Sequence, residues 1–224
     1  MIGGHPGESV DRIYGTRFSE AEALRKEAIW QEIAAFLQRY VPIEGVVLDL
    51  ACDRGHFIRN IQARERWATD LRDVSNYLPP DVRFVKSDGL DLVHHLPAES
   101  FDVVFMSNYL EHLPSGEAVV EQLEVVHRLL RPGGRTVILQ PNIRLTRGRY
   151  WDFIDHRTAL TERSLAEAAA LAGLETERVI VRFLPFTTKS RFPQSSTLVR
   201  LYLRFRPAWF LMGRQTLYIA RRPA

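Results

Sequence analysis

The 224-residue chain has a single cysteine, Cys52. One thiol excludes an intrachain disulfide framework and a cysteine-rich zinc site, and fits a reducing compartment. No apolar run reaches the length of a membrane span. The first residues, Met1 to Asp11, are polar and Gly-rich with no apolar centre, so no signal peptide is expected there. Repeats and low-complexity tracts are also missing. Acids are absent from one whole end. None follows Glu177, whereas ten bases do: Arg178, Arg182, Lys189, Arg191, Arg200, Arg204, Arg206, Arg214, Arg221 and Arg222. With a net charge of +3, the first 177 residues then carry −7. A basic end on an acidic body fits an anionic partner such as phosphate, nucleic acid or lipid headgroups; it fits equally a solvated surface facing the acidic half.

What remains is ordinary globular material. Hydrophobic residues make up 46% and charged residues 25%, enough at this length for one α/β core. Ser19-Glu20-Ala21-Glu22 reads as a capping box. The helix it opens runs to about Tyr40, with Leu24, Ile29, Trp30, Ile33 and Phe36 on one face. Val46 to Leu50 is short, apolar and β-branched, as a strand buried on both faces should be. Further strands are expected at Trp67–Asp70, Val82–Lys86, Phe101–Ser107, Thr136–Gln140, Thr176–Leu184 and Thr216–Ala220. Helical spacing covers Glu117–Leu130, stopped by Pro132-Gly133-Gly134. A second helix runs from the cap Thr161 to about Ala172, ended by Gly173. Alternating strands and helices imply parallel βαβ units in a doubly wound sheet. Ligands of such sheets sit beyond the carboxyl ends of the strands, so the informative turns follow Leu50, Asp70, Lys86, Ser107 and Gln140.

The first of these turns reads Asp49-Leu50-Ala51-Cys52-Asp53-Arg54-Gly55. Asp70 ends the second strand fifteen residues after Gly55, and Ser87-Asp88-Gly89 follows the third. The fourth gives Phe101-Asp102-Val103-Val104-Phe105-Met106-Ser107-Asn108-Tyr109-Leu110-Glu111-His112-Leu113; Leu129-Leu130-Arg131-Pro132-Gly133-Gly134-Arg135 leads into the fifth. In order and spacing these segments, from about Val46 to Asn142, resemble class I S-adenosylmethionine-dependent methyltransferases of the type 11/23-like group. The resemblance implies a Rossmann-like, doubly wound, seven-stranded sheet with an antiparallel last strand. Residues 1–45 would be an N-terminal helical cap and 46–224 the core, with a basic amphipathic insertion at about 185–213.

It also implies S-adenosyl-L-methionine as cofactor. The residues expected around it are Asp49, Ala51, Cys52, Asp53, Gly55, Asp70, Leu71, Ser87, Asp88, Gly89, Asn108 and Tyr109, with Tyr14 and Arg17 from the segment before the first helix. An acid ending strand two suits the ribose hydroxyls; alone it is equally a surface aspartate, just as Asp88 alone is ordinary turn chemistry. Ala51 and Asp53 depart from the family pattern, which has glycine at both positions. Glycine permits positive φ and close backbone approach. Aspartate tolerates left-handed φ better than most residues but adds a negative charge, which Arg54 is placed to offset.

Methyl transfer to a hydroxyl requires alignment of the reactants and removal of a proton. The candidate base is His156, oriented by Asp155 or Asp152, ahead of His112; either imidazole titrates near neutrality. Each histidine also has a bland reading as a loop hydrogen-bonding group. Tyr150, Trp151 and Phe153 flank the cluster and suit a sugar or aromatic acceptor, or else merely pack the loop. No metal is expected. Arg149 to His156 and Thr187 to Ser190 also look like members found alongside glycan- and cell-envelope-building enzymes, so the expected acceptor is a small molecule, sugar or lipid-linked glycan.

In the basic end, Ser196–Phe205 reads as a helix with Arg200 and Arg204 on one face. Pro207 breaks it, and Trp209-Phe210-Leu211-Met212 follows. Bases beside aromatics suit an anionic membrane surface; an ordinary helix packed on the sheet fits as well. A cytoplasmic protein with membrane association is expected. Two alternatives stand. A nucleic-acid methyltransferase gains from the basic end, but Ser107-Asn108-Tyr109-Leu110 lacks the Asn-Pro-Pro-aromatic form used on flipped bases. A non-catalytic binding or accessory protein of the same fold draws its support from Ala51 and Asp53. The oligomeric state is not legible.

Overall fold

The computed structural model describes residues 20–186 and 195–224. Seven strands form one sheet: β1 (Val46–Leu50), β2 (Glu65–Asp70), β3 (Val82–Lys86), β4 (Phe101–Ser107), β5 (Leu130–Pro141), β6 (Glu175–Leu184) and β7 (Gln215–Arg221). Their order is β3-β2-β1-β4-β5-β7-β6. The first five strands pair in parallel, and β7 lies antiparallel between β5 and β6. Chain order reverses direction across the sheet at β1 and β4, so the switch point lies between the loops that follow them.

Every residue of β1 is buried, because both faces of the sheet are covered. Along β4, Val103 and Phe105 face one apolar layer while Val104 and Met106 face the other, the period-two alternation of a strand. On the second side lie α2 (Gly116–Leu129) and α4 (Glu162–Leu171), with Leu123, Val126, Leu165 and Ala169 fully buried. On the first side lie α1 (Glu20–Leu37), α5 (Ser196–Arg204) and α6 (Arg206–Met212). A one-turn α3 (Ile143–Thr146) follows β5. The predicted strands and the three main helices all form. Thr161 caps α4 in a reciprocal pair with Ser164, and Gly173 takes φ +77° just past its end.

Three details differ from expectation. First, α2 ends at Leu129 and β5 begins at Leu130, so Pro132-Gly133-Gly134 falls in an irregular stretch of the strand, with Gly133 at φ +76°, instead of stopping the helix. Second, Pro207 lies in the first turn of a further helix, α6, as well as following the end of α5, because proline in a first turn gives up no helical hydrogen bond. Third, no full helix links β1 to β2, β2 to β3 or β3 to β4. Turns and single 3-10 turns (Ser75–Tyr77, Leu92–His94) do so. The loops after β1 and β2 bury Phe57, Ile58 and Val74 in the layer closed by α1 and the C-terminal insertion, whereas Leu92 and Leu96, between β3 and β4, pack in the other layer with α2. Glu32 holds Arg200 through two hydrogen bonds of 2.9 and 2.6 Å. Phe36 packs on Phe183 and Trp209 at ring separations of 5.0 and 5.7 Å. Ser19, and with it the predicted capping box, lies outside the described residues, as do Tyr14, Arg17 and Thr187 to Ser190. No described helix is long and apolar enough to cross a membrane.

Candidate functional site

The site is built from loop tips at the carboxyl edge of the sheet. After β1 the backbone turns sharply, with Ala51, Asp53 and Gly55 at φ 56°, 51° and 69°. The left-handed residues fold the turn back onto the end of β2: the Cys52 N–H donates to Thr69 O at 2.9 Å and the Gly55 N–H to Cys52 O at 2.8 Å. At Gly55 the positive φ favours glycine, and a Cβ would also displace the end of the Leu78 side chain, 2.3 Å away. Asp49 supports the turn from beneath. It is buried and accepts from the Ile58 N–H at 3.3 Å. Burial, aided by the charges of Asp70 and Asp53, raises its carboxyl well above the usual range. Cys52 is buried too, and burial pushes its thiol pKa up.

Asp70 faces this turn from the end of β2. One carboxylate oxygen accepts from the Asp53 N–H at 3.0 Å. The other accepts from the Arg72 N–H at 2.9 Å and Nε at 3.1 Å. Arg72 also reaches the Asp53 carboxylate at 3.0 Å, and Lys26 of α1 does so at 3.2 Å. Burial acts to raise the Asp53 pKa, but these two cations hold it below the usual range. The charge that Asp53 brings is therefore neutralised by Lys26 and Arg72. The sequence pointed to Arg54 instead, which is exposed and lies over the Tyr77 ring at 5.1 Å.

Beside them, Ser87 and Asp88 form a turn, with Asp88 exposed and accepting from the Leu90 N–H. Gly89 lies against Tyr109, whose hydroxyl donates to Gln122 Oε1 at 2.7 Å; Gln122 Nε2 donates to Gly89 O at 3.2 Å. A Cβ at Gly89 would lie 2.2 Å from the Tyr109 hydroxyl oxygen, so this glycine lets the loops after β3 and β4 meet. Asn108, at φ 49°, is exposed at the tip of the β4 loop, and Leu71 is half-buried.

The second half of the site is a polar cluster over the ends of β4 and β5. The segment after α3 is pinned to the 3-10 turn Leu110–His112, since Arg157 and Thr158 N–H both donate to Glu111 O at 2.8 and 3.0 Å. This brings His112 and His156 together at a ring separation of 5.2 Å. Asp155 lies against His112, whose Nδ1 contacts the Asp155 carbonyl at 3.0 Å and its carboxylate at 3.6 Å. The predicted orienting carboxylate thus acts on the other histidine, and Asp152 stands exposed. His156 packs among Tyr150, Phe153 and Phe186 at 4.8, 5.0 and 6.3 Å. Tyr150, expected to touch substrate, is fully buried and donates its hydroxyl to Thr158 O at 2.6 Å; it is the floor beneath His156. Trp151 is exposed.

Sequence reading missed several members. Glu111 is wholly buried, with Oε2 accepting from Gln140 at 3.1 Å and Oε1 without a hydrogen-bond partner among the described residues. Burial, with the Asp155 charge, raises its pKa against the opposing pull of His112 and Gln140. Glu111 adjoins His112 in the sequence, but adjacency alone marks no shared site. Lys26, Arg72, Gln140 and Phe186 had no motif to mark them.

The comparisons agree with this geometry. A family model described as a methyltransferase domain matches residues 22–179. A protein named "Probable methyltransferase ltbC", from Aspergillus luteorubrus, is 24% identical over 139 residues, covering 54% of this chain and 47% of that protein. The match thus spans about half the length of that curated relative. A SAM-dependent methyltransferase structure from Archaeoglobus fulgidus aligns with TM-score 0.61 and 20% identity over 85% of this chain and 93% of its own. An S-adenosylmethionine-dependent methyltransferase from Mesorhizobium loti gives 0.60 and 19% over 86% and 98%. At these identities the two structures show a shared fold.

Proposed function

Because the chain belongs to the methyltransferase domain family, we propose that it moves a methyl group from S-adenosyl-L-methionine to an oxygen of a small or lipid-linked acceptor, a sugar-bearing one in first place. The observation that carries this reading is the contact between the left-handed turn after β1 and the acid ending β2: the Asp53 N–H donates to Asp70 across the two loops. This sets the turn against the end of β2 and leaves one lone pair of Asp70 Oδ2 uncommitted. The residues fit the cofactor. Asp70 would receive a ribose hydroxyl on that oxygen, the turn would hold the amino-acid end, and Lys26 and Arg72 remove the repulsion that Asp53 would exert. The bound cofactor supplies an electrophilic methyl carbon on sulfur. This chain's residues align the acceptor oxygen with it and accept that oxygen's proton. The His112–His156–Asp155–Glu111 cluster is the polar group placed for that task, and Trp151, Phe153 and Phe186 are the apolar walls for an acceptor.

A second reading is a binding protein of the same fold. It is favoured by Arg72, which already takes three of the four lone-pair positions of Asp70 in concert with the Asp53 N–H. Calorimetry with S-adenosylmethionine and its demethylated product separates the readings from a misassignment. Binding to the wild type, weakened at least tenfold in Asp70→Asn, is expected; no heat with either compound overturns the cofactor. Methyl transfer from labelled cofactor to a lipid-linked sugar, a free sugar or RNA then identifies the acceptor. Cofactor binding without transfer to any acceptor would favour the second reading.

A further inference from the structure

We propose that Glu111, His112 and His156 bind one divalent first-row metal ion, of the kind that accepts imidazole and carboxylate together. One ligand-capable atom from each residue lies within 4.8 Å of the other two. They come from two segments, the 3-10 turn after β4 and the loop after α3, that the Glu111 carbonyl ties together. Adjacent residues on a helix or strand point apart, so neither the pair Glu111-His112 nor the distant His156 announces a site in the sequence, where no metal was expected.

The geometry argues for a cation. His112 Nδ1 contacts the Asp155 carbonyl at 3.0 Å, which turns Nε2 toward Glu111 Oε1, 4.0 Å away. That separation is too long for a hydrogen bond. Glu111 Oε1 has no hydrogen-bond partner among the described residues, while Gln140 fixes the other oxygen. A buried carboxylate left so is costly unless a cation pairs with it.

The surroundings are those of a ligand set. A histidine that donates its second nitrogen to a carbonyl or carboxylate is oriented and made more basic for a metal; Asp155 does this for His112. Gln140 does the equivalent for Glu111, and Tyr150 and Phe153 fix the His156 ring. Donors around a metal at 2.0–2.2 Å stand roughly 3–3.6 Å apart. Closing the cluster therefore takes about 1 Å, within reach of two half-buried imidazoles on loops. Two imidazoles and one carboxylate suit zinc and its neighbours, whereas magnesium and calcium take oxygen ligands. Three protein ligands leave a position open. That position would receive the acceptor oxygen, whose proton is then more easily lost. This last role rests on the methyl-transfer reading; binding of the ion does not.

The test uses untagged, full-length protein stripped with a chelator. Zinc chloride is titrated by calorimetry and cobalt chloride by visible absorption. One equivalent of each, with the d–d bands of a nitrogen-oxygen site, is expected. Glu111→Gln, His112→Asn and His156→Asn should each weaken zinc binding at least tenfold, and a control change of the surface pair His94 and His95 to Asn should not. Circular dichroism reports folding; if Glu111→Gln unfolds, the two histidine variants carry the test. Absence of a stoichiometric equivalent, or an equivalent that survives in both histidine variants, overturns the proposal. Calorimetry with S-adenosylmethionine on the same stripped protein keeps the failures apart. Cofactor binding without zinc binding removes only the ion, and zinc binding without cofactor binding removes only methyl transfer.

Discussion

Ala51 and Asp53 hold left-handed backbone without being glycine, at a cost of roughly 1–2 kcal/mol for each such residue. Strain of this kind persists where neighbours over-determine it. Here those neighbours are Asp70, Arg72 and Lys26, which fasten Asp53 through its N–H and both carboxylate oxygens. The turn is followed by His56, buried under Trp30 and bonded through Nδ1 to Glu27 at 2.7 Å. Burial and the charge of Lys26 lower the His56 pKa, against Glu27 and Asp53, which raise it. A histidine with a lowered folded pKa binds fewer protons folded than unfolded, so its share of stability is complete above the unfolded value of about 6.5 and is lost as pH falls through the folded value. Thermal denaturation from pH 8 to pH 5 should therefore show Tm falling below about pH 6.5, and His56→Gln should flatten that fall. Equal slopes in the two proteins would show that the imidazole does not feel its surroundings in this way. None of this was legible in the sequence, because Lys26 and Glu27 stand on α1 and only the folded chain lays them over the turn.

At the scale of elements the sequence was a good guide wherever burial on both faces leaves a strand no choice, as in Val46–Leu50 and Phe101–Ser107. Pro207 marks the end of α5 as its position predicts, but the sequence does not show that the same proline lies in the first turn of a further helix, α6. Trp209 in α6 is buried against Phe36 and Phe183 and donates Nε1–H to Tyr202 O at 2.8 Å. Phe210 and Leu211, its neighbours, are 70% and 71% exposed. Trp209→Ala should cost about 3–5 kcal/mol, on the order of 10 °C in Tm, because it opens a cavity and removes the indole hydrogen bond to Tyr202 O. Leu211→Ser should leave stability within about 0.5 kcal/mol. A denaturation series on the two variants checks this; similar losses in both would mean that α6 is not anchored through Trp209. The missing helices between β1 and β4 escaped prediction for a related reason: their segments are short and rich in turn residues, and no periodicity marks what fails to form.

Across the whole molecule, the basic end and the apolar exposure fall together. α5 buries Leu203 on the core, yet Leu198, Leu201 and Phe205 form a second apolar stripe in water, joined by Phe210, Leu211 and Met212 of α6. Exposed apolar groups gathered this way mark an interaction surface. Arg204 and Arg206 stand exposed among them, and Arg182 lies over the Phe210 ring at 5.3 Å. Such a surface suits an anionic bilayer, where the rings and aliphatic groups would enter the headgroup layer and the arginines would meet phosphate. A chain that works on a lipid-linked acceptor gains from such a surface, since Phe186, at the start of the same insertion, already touches the His156 cluster. Each arginine near an anionic surface contributes about 1 kcal/mol, screened by salt. Three of them give on the order of a hundredfold preference for phosphatidylglycerol over phosphatidylcholine vesicles. Co-sedimentation should show that preference at low salt and lose most of it at high salt. Leu211→Ser combined with Phe210→Ser should abolish binding without moving Tm. If the double variant still sediments with phosphatidylglycerol as the wild type does, or if neither protein binds at low salt, the apolar stripe is not a membrane surface and the acceptor must be sought among soluble molecules.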